Sequence, residues 1–441
     1  MSQNYFTPFV DGTDPLDADT LNGKLGELDS QITTNTNDIA AIDSYPGSGT
    51  TLKADVDASN VDADTVDGLD ASDLKGDDLS IPARHSMWPN TNKWTATGYG
   101  WTKGICIDRL GHVWVGLMDS SLNAKVAKFE DHRVQTPTVL DLGVSNYKVV
   151  DLVATNDAVF ALLAYNTVDG WGSSVTAPAQ VGKIAKIDID TGTLDTSWGT
   201  NGVYTFPSGY TDPWCMVSDD TYLWVGLLKS PGEVARVTIS SPAITSWAAN
   251  TGNDYVTAIA LAQTGITSYN IVVGFHTYTS TEGRLAYMTT GGSYTYYKLT
   301  SGDDDHQFID MVNSGGIMIA SVAQRTSGEK VCYWNAGNPD PDSDGYVTPS
   351  YISKLVSYAG TYSSDPKVAI GVDGSVYVAA GGASEHVGKF SSVVTGSIEE
   401  LVNISLGSSH RAYDALHDGR NLWICGTDPG SGTAFVLQLG L

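Results

Sequence analysis

Positive charge is scarce in this chain. Lys and Arg number 24 against 50 Asp and Glu in 441 residues, a formal charge of −26. Nucleic acid and anionic membrane surfaces are both held through clustered Lys and Arg, so neither is expected as a partner. Only eight residues are Arg, and they are scattered. The Asp excess leaves two readings open: a surface built to stay hydrated in high salt, where charge repulsion is screened, or an ordinary acidic exterior facing the medium. Cysteine is also rare. Cys106, Cys215, Cys332 and Cys425 form no CxxC pair, which excludes the usual zinc spacings and favours buried free thiols. No apolar run approaches the length of a membrane span, so no membrane insertion is expected. The start, "MSQNYFTPFVDGTDP", has neither a basic segment nor an apolar stretch, and no signal peptide is expected. GxSxG, HExxH, P-loop and dinucleotide-binding fingerprints are missing, which sets enzymatic chemistry behind binding as the expected role.

What is abundant is glycine, with 47 residues, and aromatics, with 22 Tyr and 11 Trp, a composition of short strands and tight turns. From about residue 104 one strand recurs as "HVWVG", "AVFAL", "YLWVG", "NIVVG", "GIMIA", "SVYVA" and "NLWIC". Its central residues are Trp114, Phe160, Trp224, Val272, Met318, Tyr377 and Trp423, spaced by 46, 64, 48, 46, 59 and 46. A small apolar strand precedes each copy and a third strand follows it. The turns between the first two, "RLGH", "SDDT", "NSGG", "VDGS" and "HDGR", carry the residues that tolerate positive φ. A fourth, more polar strand completes most units. Seven four-stranded units of 40–60 residues predict a mainly β fold, a seven-bladed β-propeller over 82–441. The last unit lacks its outer strand, and "KWTATGY" at 93–99 is expected to supply it and close the ring.

Two different segments precede the propeller. In the first, Leu21, Leu25, Leu28, Ile32, Asn35, Ile39 and Ile42 alternate by four and three residues, the seam of a short coiled-coil helix over 16–45. About three heptads are marginal for a free helix, so self-association is implied. A lone amphipathic helix packed on a globular domain is the other reading. Asn35 would set register and strand number at a cost in stability. In the second, "NVDADTVDGLDASDL", Val-Asp recurs at 56, 61 and 66, and residues 54–80 hold nine Asp and one Lys.

Candidate sites are few. Asp340, Asp342 and Asp344, followed by Gly345, match the opening of a calcium loop, in which Tyr346 would add its carbonyl and Thr348 a further ligand. Tyr351 stands where that pattern wants a bidentate Glu, so a Ca2+ site here would be weak, and a plain acidic turn is the alternative. "DDDHQF" places three carboxylates beside His306, either a metal or acid–base cluster or a solvated turn. Tyr165, Trp171 and Tyr278 lie on or beside loops, where aromatics stack on sugars or anchor protein contacts. "DRLGHVW" and "VDGSVYV" resemble the Asp-boxes of sialidases, which are structural turns, but the Arg cluster such enzymes need is missing.

A seam, an acidic pentad segment and a propeller, in that order, resemble a tail fibre or receptor-binding protein of a tailed virus, of phage or haloarchaeal type. "PFVDGTDPLDADTLNGKLGELDSQI" is similar to the docking ends of phage tail proteins, and "VDADTVDGLDASDL" resembles a motif of trimeric fibre shafts. The resemblance covers roughly residues 5–80. It implies a virion-docking arm over 1–15, contacting other tail or baseplate proteins, and a homotrimeric coiled coil. It also implies an acidic collar over 46–81 with Leu69 and Leu74 facing the threefold axis. The head would bind a host-surface glycan or protein during adsorption, and the location would be the virion. A capsid-mounted spike or turret, a cellular surface propeller and a glycan-degrading tailspike enzyme remain as alternatives.

Overall fold

A computed structural model describes residues 93–441, apart from 131–135, 167–179, 230, 249–253, 264–268, 278–283, 300–305, 315, 325–327, 336–345, 348–349, 353–366, 373, 381–385, 391–399, 406–410, 429–430 and 441. The coiled-coil seam from Leu21 to Ile42, the arm and the collar leucines Leu69 and Leu74 lie outside the described residues. All regular structure within them is strand.

The strands form seven sheets. The first is β2 (Tyr99–Ile107), β3 (Val113–Asp119), β4 (Asn123–Phe129) and β5 (Thr138–Ser145). The second runs β6 (Tyr147–Ala154), β7 (Ala158–Tyr165) and β8 (Lys183–Asp188), with β9 (Thr193–Leu194) and β10 (Val203–Thr205) both paired to β8. The third is β11 (Pro213–Ser218), β12 (Tyr222–Leu227), β13 (Glu233–Thr238) and β14 (Ile244–Ala248). The fourth is β15 (Asp254–Gln263), β16 (Tyr269–Thr277), β17 (Arg284–Met288) and β18 (Tyr294–Leu299), extended by the parallel β22 (Tyr346–Val347). The fifth is β19 (His306–Ser314), β20 (Ile317–Gln324), β21 (Gly328–Asn335) and β23 (Ser350–Ile352). The sixth is β24 (Lys367–Ile370), β25 (Val376–Ala380), β26 (His386–Phe390) and β27 (Glu400–Ser405). The last holds β28 (Arg411–His417), β29 (Asn421–Asp428) and β30 (Thr433–Gly440), and its fourth strand is β1 (Lys93–Ala96), paired antiparallel to β30. The strand supplied from 93–99 is therefore shorter than its sequence suggests: Thr97 and Gly98 turn, and Tyr99 already begins β2.

Among the described residues, each sheet contributes apolar side chains to the junctions on both of its sides. A separate apolar cluster fills each junction. Trp114, Leu142 and Val149 join the first and second sheets, Phe160 and Trp214 the second and third, and Trp224 and Val256 the third and fourth. Val272 and Phe308 join the fourth and fifth, Ile319 and Val368 the fifth and sixth, and Tyr377 and Phe435 the sixth and last. The remaining cluster puts Trp423 and Val436 against Val115 and Phe129, so the last sheet packs on the first. The fold is a β-propeller, and the repeated residues Trp114 to Trp423 all stand on second strands with at most 1% exposure.

The hairpin turns behave as their composition predicts. A left-handed residue sits in each of the five: Gly111, Asp220, Gly316, Gly374 and Gly419, with φ between 66° and 93°. Cys106 and Cys215 are on first strands, Cys425 on a second and Cys332 on a third, and all four are free thiols.

Candidate binding site in the central channel

The first strands β2, β6, β11, β15, β19, β24 and β28 stand side by side around a channel, with β28 touching β2. Six of the seven carry a register shift against their second strand, next to Lys103, Val150, Trp214, Thr257, Ile309 and Tyr413. A bulge of this kind re-aims the following side chain and frees backbone amides from the ladder.

Three Asp residues use those amides. Asp151 accepts from its own Leu152 N at 2.8 Å and from Met216 N of the next sheet at 2.6 Å. Asp310 does the same with Met311 N and Val368 N, both at 3.0 Å. Asp414 takes Ala415 N at 2.9 Å and, across the closing junction, Ile105 N at 3.0 Å. Each carboxylate thus staples one sheet to the next through charge-assisted bonds. Thr257 makes a neutral version, its hydroxyl donating to Phe308 O at 2.6 Å.

Between the staples lies a cavity of about 430 Å³, to which all seven first strands contribute. One arc is charged: Lys103, Asp151, Asp310, Lys367 and Asp414. The opposite arc, from β11 and β15, is apolar, with Met216, Val217, Ile259 and Leu261. The only buried lysines among the described residues are Lys103, Lys148 and Lys367, all on first strands. Lys103 Nζ sits 3.1 Å from the centroid of the Trp214 ring, Lys148 Nζ lies 3.8 Å from that of Trp101, and Lys367 Nζ donates to Ile309 O at 3.3 Å. Burial pushes the Asp414 carboxyl up to about 7, the charge of Asp310 adding to it and Lys367 opposing it. Burial likewise raises Asp151 to about 6, against the pull of Lys103 and of its two amide donors. A fixed carboxylate paired with amides and lysines in this way can position a ligand. The four thiols are held protonated, since burial raises every one of them.

The turns at the far ends of three first strands hold a second recurring device. Asp108 accepts from Trp114 Nε1 at 2.8 Å, Asp219 from Trp224 Nε1 at 2.8 Å and Asp418 from Trp423 Nε1 at 2.7 Å. The same carboxylates accept the turn amides of Leu110 and His112, Thr221 and Tyr222, and Arg420 and Asn421. Burial pushes Asp108 and Asp418 up, but the indole and the other donors outweigh it and hold both below the usual carboxylate range. These are structural turns, as the Asp-box resemblance at "DRLGHVW" implies.

Of the residues singled out in the sequence, Tyr165 and Tyr346 are described and do not line this cavity. Asp340, Asp342, Asp344 and Thr348 are outside the described residues, while Tyr346 begins β22 beside Lys298. Among the described residues no group of three metal-ligating side chains comes together. Trp171 and Tyr278 also lie outside. Tyr165 ends β7 and is half-buried, its ring edge-on to Tyr147 at 5.6 Å. The channel residues were overlooked although "VVDLVA", "FIDMV" and "AYDAL" each put one Asp inside an apolar first strand. That recurrence was the signal, because a carboxylate there needs a partner from the neighbouring sheet.

No protein-family model matches the chain, and no curated protein matches its sequence. Solved structures do resemble it. A chain of the mitotic checkpoint complex aligns over 79% of this chain and 95% of its own, at TM-score 0.52 and 12% identity. The β-propeller domain of Myceliophteria thermophila Cps50 (Swd1) covers 78% of this chain and 98% of its own, at TM-score 0.49 and 12% identity. At such identities the likeness to the first shows the fold alone: a β-propeller.

Proposed function

We propose that the chain is a virion fibre protein: a trimeric stalk and acidic collar carrying a seven-bladed propeller head that binds a host-surface receptor. The observation that carries this reading is the order of parts, a heptad seam and Val-Asp pentads leading directly into a propeller. The described head begins at β1, an outer strand paired to β30. Binding is favoured over catalysis because the channel carboxylates are engaged in joining sheets and those of the Trp-bearing turns in holding indoles. A ring tied in this way is a rigid platform for recognition.

An antibody raised against residues 82–441 tests the assignment. It should decorate virus particles at projecting fibres and block their adsorption to host cells. Label confined to the cell surface, with particles bare, would move the protein to the cellular reading.

A further inference from the structure

We infer that the central channel is a binding site for a neutral, polyhydroxylated ring, the terminal sugar of a glycan. Three features of the cavity lead there. Its charged arc offers both kinds of hydrogen-bonding group, ammonium donors from Lys103 and Lys367 and acceptors from Asp151, Asp310 and Asp414. A carboxylate has about four lone-pair sites, and each of these accepts two backbone amides, so joining the sheets does not exhaust its acceptor capacity. Its other arc is apolar. A pyranose has this same division, hydroxyls around its edge and C–H groups on its face, and pockets of about 300–1,000 Å³ with a few placed polar groups are the usual hosts for such ligands.

Charge selects among ligands. Two lysines stand against three carboxylates in the cavity wall, so it presents both signs of charge. An anion would face the three carboxylates and a cation the two lysines, each in a poorly screened interior. A neutral polyol meets no such repulsion. The Lys103 ammonium lies over the Trp214 ring at the cavity wall.

The assignment names a ligand class for the receptor-binding head proposed above, but its test does not depend on the virion reading. The full chain is titrated calorimetrically with the methyl glycosides of glucose, galactose, mannose and N-acetylglucosamine, and with glucuronic acid and glucosamine as charged controls. At least one neutral glycoside should bind saturably and better than either charged sugar. Leu416→Trp, which adds bulk at the cavity wall, should weaken that binding by roughly tenfold or more. The melting temperature is measured alongside, because Leu416 also packs on the closing junction. Val217→Trp, on the apolar arc, replaces it if Leu416→Trp fails to fold. No heat with any neutral glycoside, preference for a charged sugar, or binding indifferent to a folded substitution at the cavity wall would overturn the inference. Antibody decoration of virions would be unaffected by that failure, which separates the two claims.

Discussion

At the scale of single residues, the propeller is held by groups whose chemistry is local and whose effect is not. Asp418 shows this best. It closes a turn and satisfies the Trp423 indole, which is fully buried. Asp418→Ala should therefore leave a buried N–H without its acceptor and lower stability by about 1–3 kcal/mol, read from the denaturant midpoint. Glycine acts by size at Gly274, where a Cβ would stand 2.6 Å from the Phe308 side chain of the next sheet. Gly274→Ala should cost about 1–3 kcal/mol through overpacking, with the same measurement. The channel carboxylates make a pH prediction. Asp414 and Asp151 have folded values near 7 and 6, above the ordinary value of about 3.9 in an unfolded chain. Between about pH 4 and 7 the folded protein keeps protons that the unfolded chain has released. Their contribution to stability is thus present in full below about 4 and is lost as pH rises through the folded values. Burial lowers His276 to about 4, which raises stability with pH up to about 6.5 and offsets part of this loss. The two carboxyls together outweigh it, so the melting temperature should fall between pH 5 and 7.5, and Asp414→Asn should flatten that slope. A melting temperature that rises across this range would contradict the account.

At the scale of strands and sheets, closure depends on β1. Its four residues pair with β30 and bring Ala96 and Trp94 into the cluster that joins the last sheet to the first. A chain starting at residue 99 should melt lower than one starting at 82, and should associate through the exposed edge of β30. Equal melting temperatures and a monodisperse short chain would show that the ring does not need this strand. Much of this level was legible in advance. Second strands were marked by one large apolar residue per unit, turns by Asp and Gly, and the closing strand by its absence at the far end. The channel was not legible to the same degree. Asp151, Asp310 and Asp414 are 159 and 104 residues apart, and only the ring brings their carboxylates into one wall. The bulges that aim them depend on pairing register, which a single strand's sequence leaves open. Tyr165, read as a loop aromatic, ends β7 beside that loop with its ring edge-on to Tyr147.

At the scale of the whole molecule, the account rests on self-association through the segment before the propeller. In the proposed fibre, Asn35 in the seam and Leu69 and Leu74 in the acidic segment would hold three chains in one stalk, the number following in part from the fibre resemblance. A head on a trimer would gain avidity from three weak sites presented together. The sugar site inferred in the channel would need that gain, since a single small ring offers few contacts. The most direct test is the solution mass of the full chain beside a chain starting at residue 82, measured by light scattering at low and high salt. The account predicts three chains of 46.7 kDa, about 140 kDa in all, for the full protein and a monomer for the shorter one. A full-length monomer at both salt concentrations, or a shorter chain that still forms trimers, would contradict it.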